Sequence, residues 1–532
     1  MKQQDFFGGD ALARAVEQAY AGGQIDYSLE PLNLETDAGE PVGTVKAGDS
    51  VVFCCRRGER EIELTDAFTD GSFTGFERKK LDPLTFVILT MYSEKYTGLP
   101  VAFAPSRVSE TLAEAVSAAG LTQLHCAESE KYAHVTFFLN GGNGTPFPGE
   151  DDACVPSPKG VAFDTVPALS LAEVSENVCR GLEKGYDLVV TNFANGDVIG
   201  HTSNDEAKIQ AAAIVDRHLE KVVRAARAAG YTTFVTADHG NLERMRKPDG
   251  TPDVAHTDNL VAFIEIPADG EPAALHGFSD AGRADGALCD VAPSVLGALG
   301  IPVPDGMKGK PLFAPQAGGG KVLLIILDGW GIGAEDETNP IHVAQTPSWD
   351  SLLQTYETRY LHASGEFVGL EQGKAGNSEA GHLNIGAGRV VPQDDVRLES
   401  AMKDGSFSRN PVFVSAIEEA KNRGAAVHLF ALLTKKSSHG SIDYPLALLD
   451  LCERLGQTRV FVHIIFDGRS TEPGSAPELL RELEQSMRDK GVGTIVSGVG
   501  RGIALDRDKN WAKVKKAYDS LTAGTGARYR AR

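Results

Sequence analysis

KVLLIILD at 321–328 is an unbroken apolar run that stops on an aspartate. It shows no alternation of polar and apolar positions, the pattern of a strand covered on both faces. Runs of the same kind recur as SVVFCC at 50–55, TFVILTMY at 85–92, HVTFFLN at 134–140, DLVVTNF at 187–193, TTFVTAD at 232–238, AVHLFALL at 426–433 and RVFVHIIFD at 459–467. Amphipathic stretches such as 205–229 and 475–490 separate several of them, so the chain reads as α/β with mostly parallel sheets. The small Pro/Gly segment FAPQAGGGK at 313–321 reads as a link leading into the first-named strand.

The chain has 532 residues. Domains of about 100–200 residues are usual, which favours two large domains over one. Apolar residues make up 42% and charged residues 23%, the balance of an ordinary globular protein. A formal charge of −21 argues against nucleic acid as a partner, because a polyanion needs a concentrated basic face. The cysteines at 54, 55, 126, 154, 179, 289 and 452 form no CxxC pair and read as reduced thiols. No apolar run is long enough to span a bilayer and the first residues lack the apolar core of a signal peptide, so the expectation is a cytoplasmic protein with no membrane partner.

In open α/β sheets ligands sit beyond the carboxyl ends of the strands. KVLLIIL ends on Asp328, TTFVTA on Asp238 and His239, and DLVVTNF leads into Asp197 and His201; His256 stands in the polar loop DVAHTDN. Taken singly, each aspartate equally fits a helix cap or a turn. Together, three aspartates and three histidines match the nitrogen and oxygen ligands of two divalent ions sharing a site, and the mixture suits manganese or zinc better than calcium. A second signal is GKAGNSEAGHLNIGAGR at 373–389, centred on Ser378. Its glycines allow close backbone approach, and metal coordination can deprotonate a serine placed there. The segment is neither a Walker loop nor a GxSxG elbow.

LDGWG (327–331), GNSEAGHLNIGAGR (376–389), NFANGDVIGHT (192–202), TADHGN (236–241), AHT (255–257) and SEKYAHVTFFLNGG (129–142) together resemble the cofactor-independent phosphoglycerate mutases of the alkaline phosphatase superfamily. In that family the DGWG segment opens the chain, so the resemblance implies a circular permutation, with the usual ends joined at 315–320. It implies a phosphatase-like, mostly parallel sheet sandwiched by helices at 106–392, and a smaller α/β transferase domain from 393–532 together with 1–105. One metal is expected on Asp197, His201 and His256, the other on Asp328, Ser378, Asp238 and His239. Manganese is the first choice, with magnesium, cobalt or zinc as alternatives and no 2,3-bisphosphoglycerate.

The resemblance further implies that Ser378 takes the phosphoryl group of 3-phosphoglycerate and returns it as 2-phosphoglycerate, with Lys131 neutralising charge on the group in transfer. Arg57, Arg60, Arg469, Arg501 and Arg507 are the expected substrate arginines, suited to bidentate binding of carboxylate and phosphate. His439 is the expected active-site histidine, and a monomer is expected. The substrate side departs from the family: Ser470 stands for an Asp, Ser441 for a second His, and Cys55-Arg56 for Asn-Phe. A serine is no general base near neutral pH, and Asp467 is the nearby carboxylate that could replace the missing one. A metal-dependent phosphomonoesterase, or a mutase of another phosphate ester, is the alternative reading.

Overall fold

Six apolar side chains in a row between Lys321 and Asp328 leave no face of this segment suited to water, and it becomes the middle of a sheet. The computed structural model describes residues 6–56, 60–105, 107–269, 282–316, 318–435, 437 and 439–531. Arg57, one of the expected substrate arginines, lies outside them. The chain divides into two compact units, Met1–Pro105 with Arg397–Arg532, and Ser106–Val396.

In the unit Ser106–Val396 one sheet runs in the order Gly286–Ala287, Glu357–His362, Val261–Ile266, Tyr231–Thr236, Lys321–Leu327, Leu188–Phe193, Gln123–Glu128, Glu150–Val155. The central strand Lys321–Leu327 is parallel to both neighbours, with Ile326 opposite Asn192 on one side and Thr236 on the other. Only Val261–Ile266 breaks the parallel order, running antiparallel to Tyr231–Thr236 and Glu357–His362. Both side-chain faces of the three central strands are buried. Helices Leu171–Lys184 and Asp205–Ala228 pack together and onto these strands, while Val291–Leu299 packs on Lys321–Leu327 and against Ser378–Ala387. Each fully buried aliphatic side chain here contributes about 1.5–3 kcal/mol. Because the register is in step, Asp328, Asp238 and the segment after Phe193 emerge at one sheet end.

One expected strand is corrected. HVTFFLN does not join the sheet: His134–Phe138 is a turn of π-helix. Val135 and Leu139 are buried in the core while Phe137 between them is only half-buried, the i, i+4 pattern of a helix; a strand burying both would turn Phe137 to the same face. The Thr136 hydroxyl donates to the carbonyl of Tyr132 four residues back, as in a helix. Strands that carry more charge, such as Gln123–Glu128, Glu150–Val155 and Glu357–His362, were not among the apolar runs.

The other unit forms a second sheet, in the order Ala527–Tyr529, Leu32–Leu34, Thr494–Gly500, Val460–Phe466, Val427–Leu433, Ser50–Phe53, Thr85–Thr90, Val101–Phe103. Strands from both segments of the chain thus join in a single sheet, parallel except where Leu32–Leu34 meets Thr494–Gly500. Among the described residues all seven cysteines are free, and no helix is long and apolar enough to cross a membrane.

A polar relay crosses this second sheet. Asp49 Oδ2 lies 3.1 Å from His428 Nε2, His428 Nδ1 is 2.9 Å from His463 Nε2, and His463 Nδ1 is 2.7 Å from Ser497 Oγ. One proton per link satisfies the chain with both rings neutral: His428 Nε2–H donates to Asp49, His463 Nε2–H to His428, and the Ser497 hydroxyl to His463. Burial lowers the pKa of both histidines, and for His463 the neighbouring His428 adds to it. A folded-state pKa below the unfolded value means that the unfolded chain takes up protons first as pH falls. Stability should therefore be lost below about pH 6.5. In urea titrations His463→Gln should flatten the loss between pH 7.5 and 5, and an unchanged slope would contradict the assignment.

Candidate metal centre

Asp328 directly follows Lys321–Leu327, Asp238 follows Tyr231–Thr236, and Asp197 sits in the short helix Asn195–Gly200 immediately after Leu188–Phe193. His201 caps that helix one turn beyond Asp197. His239 is next to Asp238, and His256 lies one residue from the bridge between Gly240 and Thr257. Lys131 enters from the turn between Gln123–Glu128 and the π-helix, a helix type often found at functional sites.

Ser378 is the first residue of helix Ser378–Ala387, capped by Asn377, whose side chain accepts from Ala380 N. Its hydroxyl is therefore at the positive end of a helix, where anions are favoured. The glycines of this segment permit the approach. A Cβ at Gly376 would lie 2.1 Å from the carbonyl oxygen of Ala363 and 2.8 Å from His239 Cβ, and one at Gly381 would lie 2.5 Å from the carbonyl oxygen of Asp238. No side chain fits at either position while the helix rests on the Asp238–His239 strand end.

The Lys131 ammonium donates to Asp197 Oδ2, Asp328 Oδ1 and Ser378 Oγ, each at 2.7 Å. The Ser378 hydroxyl lies 2.9 Å from His239 Nε2 and 3.3 Å from Asp328 Oδ1. Asp238, Asp328 and His239 are fully buried, and Lys131, Asp197 and Ser378 nearly so. Burial works against the charged form of Lys131, but Asp328 and Asp197 outweigh it and raise its pKa. Asp197 is buried too, yet the Lys131 ammonium beside it draws its carboxyl well below the usual range. Asp238 is likewise lowered against burial by His239 and His382, whereas burial together with Asp238 pushes Asp328 up. One ammonium does not balance three carboxylates in so small a volume.

Three histidines present a free lone pair. His201 Nδ1 is 2.8 Å from the carbonyl of Val254, His256 Nδ1 2.8 Å from that of Gly376, and His239 Nδ1 3.2 Å from that of Gly240. A carbonyl can only accept, so each Nδ1 carries the hydrogen and each Nε2 is left as a donor atom for a metal. His201 Nε2 and His256 Nε2 lie 3.0 Å apart and 3.2 and 3.0 Å from Asp197 Oδ1. Among the described residues Asp238 Oδ2 is buried with no hydrogen-bond partner, 3.4 Å from His239 Nε2. Unpartnered carboxylate oxygen and converging imidazole lone pairs fit a divalent cation.

His382, four residues after Ser378, also lies near Asp238 and Asp328. Its Nδ1 is 2.9 Å from the carbonyl of Ser378, however, and its Nε2 accepts from Asn192 at 3.0 Å. With both ring nitrogens engaged it orients the site rather than offering a ligand. Asn192 in turn donates to Asp328 Oδ2 at 2.6 Å. Sequence reasoning missed this pair; the spacing Ser-x3-His on one helix face was the available signal.

The expected substrate residues that are described lie in the other unit. Arg60 is buried and donates to the carbonyl of Leu505 at 3.2 Å, and Arg501 is buried in an ion pair with Asp467. Arg469 is exposed, 5.8 Å from the centre of the Tyr27 ring, and Arg507 is exposed. Ser470 is exposed, and its backbone N–H donates to Asp467 Oδ2 at 2.9 Å. The Ser441 hydroxyl is spent on its own turn, its one hydrogen shared between the carbonyl of Lys435 and Asp443 Oδ2, each at 2.9 Å. Asp467 is fully buried and bound to Arg501, so it is not free to replace the aspartate absent at 470.

Residues 32–303 match the model of the Metalloenzyme superfamily, and residues 398–532 match that of the BPG-independent PGAM N-terminus. The segment named for an N-terminus thus follows the other in this chain. Curated 2,3-bisphosphoglycerate-independent phosphoglycerate mutases are similar to it: 42% identical over 57% of this chain and 56% of the protein from Cyanothece sp. (strain PCC 7425 / ATCC 29141), and 45% over 57% of each for Moorella thermoacetica. For Salinibacter ruber the identity is 43%, over 57% of each chain. The chain spans somewhat over half the length of the curated relatives it matches. Among solved structures, Leishmania mexicana phosphoglycerate mutase at low cobalt concentration aligns at 27% identity and a TM-score of 0.39, over 52% of this chain and 53% of that one. With its model matched over residues 32–303, this chain belongs to the Metalloenzyme superfamily, and its relatives there are the 2,3-bisphosphoglycerate-independent phosphoglycerate mutases.

Proposed function

We propose that the chain interconverts 3-phosphoglycerate and 2-phosphoglycerate through a phosphoserine on Ser378, without 2,3-bisphosphoglycerate. The observation that carries the reading is Ser378 Oγ held between Lys131 Nζ at 2.7 Å and His239 Nε2 at 2.9 Å, beside Asp328. Two divalent ions, manganese first, would be held by Asp197, His201 and His256, and by Asp328, Ser378, Asp238 and His239. Bound there, they supply Lewis acidity and favour the serine alkoxide at neutral pH.

Ser378 Oγ attacks the phosphorus of phosphoglycerate, the bond from phosphorus to the glycerate oxygen breaks, and that oxygen takes a proton. The reverse step delivers the phosphoryl group to the other hydroxyl. Lys131 and the N-terminus of helix Ser378–Ala387 offset the negative charge on the group in transfer. Arg57, Arg60, Arg469, Arg501, Arg507 and His439 are the proposed substrate contacts. We read the order of the two matched segments as a circular permutation joined at 315–320, and the enzyme as a cytoplasmic monomer.

Ser378→Ala should abolish conversion of 3- to 2-phosphoglycerate, followed by coupling to enolase with manganese present and no bisphosphoglycerate. Folded wild-type protein that fails to isomerise would refute the mutase reading, and release of inorganic phosphate at a rival rate would favour a phosphomonoesterase. Lys131→Met leaves the carboxylates without their ammonium. The chelator-treated variant should lose about 3–5 kcal/mol in urea unfolding, the usual cost of stranding a buried charge. Manganese should restore part of that stability, and no loss would contradict the charge balance drawn here.

A further inference from the structure

Strand Ser50–Phe53 runs into Cys54-Cys55-Arg56, and the described chain resumes at Arg60 and Glu61 just before helix Ile62–Thr69. Glu61 is fully buried, and among the described residues neither of its carboxylate oxygens has a hydrogen-bond partner. A buried, unpartnered carboxylate is costly and is kept only where something compensates it. Among the described residues His439 is the group in contact: its Nδ1 lies 3.4 Å from Glu61 Oε1, is itself buried and has no other partner there, and its ring is only 12% exposed. Among the described residues His439 Nε2 makes no hydrogen bond. The backbone holds the pair in place, since Arg56 N donates to the carbonyl of His439 at 2.9 Å and His439 N donates to Ser437 Oγ at 3.2 Å.

Among the described residues, the other charged or titratable groups facing Glu61 leave His439 as its partner. Arg501 is bound to Asp467, the Cys55 thiol is buried and pushed up by that burial, and the Tyr92 hydroxyl is shared with Thr65. Burial raises the Glu61 carboxyl, with His439 and then Arg501 acting against it. Asp467 is neutralised and Ser470 carries no base, so this unit needs another route for the hydroxyl proton.

We propose that Glu61 is a positioning residue that holds His439 with its hydrogen on Nδ1, so that Nε2 accepts and returns the proton of the glycerate hydroxyl. The inference rests on the mutase reading. As the hydroxyl oxygen bonds to phosphorus and the bond from phosphorus to Ser378 Oγ breaks, the hydroxyl proton passes to Nε2, and Glu61 faces the imidazolium formed. In the opposite half-reaction Nε2–H gives that proton to the departing glycerate oxygen, and His439 returns to its starting state.

The test has a structural and a kinetic arm. In full-length protein labelled with ¹⁵N-histidine and loaded with magnesium, the His439 signal, identified by its loss in His439→Gln, should report the Nδ1–H tautomer. An Nε2–H tautomer overturns the proposal, and this arm decides even where a Glu61 variant fails to fold. Kinetically, Glu61→Gln should lower kcat for phosphoglycerate interconversion about 100-fold with KM within about 3-fold, the scale of a lost general base, and Glu61→Asp should recover part of it. Hydrolysis of p-nitrophenyl phosphate should be retained in Glu61→Gln, since no glycerate hydroxyl is involved. Unchanged kcat, a rise in KM alone, or an equal fall in hydrolysis overturns the proposal. A wild type that isomerises while Glu61→Gln behaves identically refutes this inference alone; a wild type that does not isomerise refutes the reading beneath it.

Discussion

Three buried carboxylates share one ammonium. Lys131 reaches Asp197 and Asp328 at 2.7 Å each, and Asp238 stands behind them with an oxygen that no donor meets. Like charges this close in a poorly solvated volume repel strongly, and one lysine offsets only part of the repulsion. The three imidazoles, each with its hydrogen turned to a backbone carbonyl, add lone pairs rather than charge. Divalent cations would balance such a cluster, and in the function proposed above the serine placed among those groups is the nucleophile that the balance activates. The rest of this unit serves that convergence.

Parallel register brings the acids together. Ile326 stands level with Asn192 and Thr236, so three strands end at one height and the residues after them share one space. Helix Ser378–Ala387 can lie against that edge because Gly376 and Gly381 have no side chain to strike Ala363, His239 or Asp238. Fold and chemistry meet at those glycines. In the sequence they read as positions of close backbone approach, and in the structure they are packing residues.

Much of the centre was legible in the sequence, because an apolar run ending on an acid announces both strand and site. Asp328, Asp238 and His239 follow that rule, and His201 follows from its spacing to Asp197. His134–Phe138 broke it: the aromatic and β-branched composition of HVTFFLN suggested a strand, while the buried Val135 and Leu139 lie one helical turn apart. Asn192 and Glu61 were invisible for another reason. Their importance lies in what stands across from them, and a polar residue inside an apolar strand or helix shows its partner only after folding. The Ser470 substitution was visible, but the removal of Asp467 from consideration by Arg501 was not.

The claim that the charge balance makes Ser378 a nucleophile is tested most directly by trapping its product. Metal-stripped protein and protein reloaded with manganese are mixed with 3-phosphoglycerate, quenched in acid and digested for mass spectrometry. Phosphate on Ser378 is expected in the peptide carrying GNSEAGHLNIGAGR, present with manganese and absent without it. Isomerisation that proceeds while Ser378 stays unmodified, or phosphate on another residue, would contradict it.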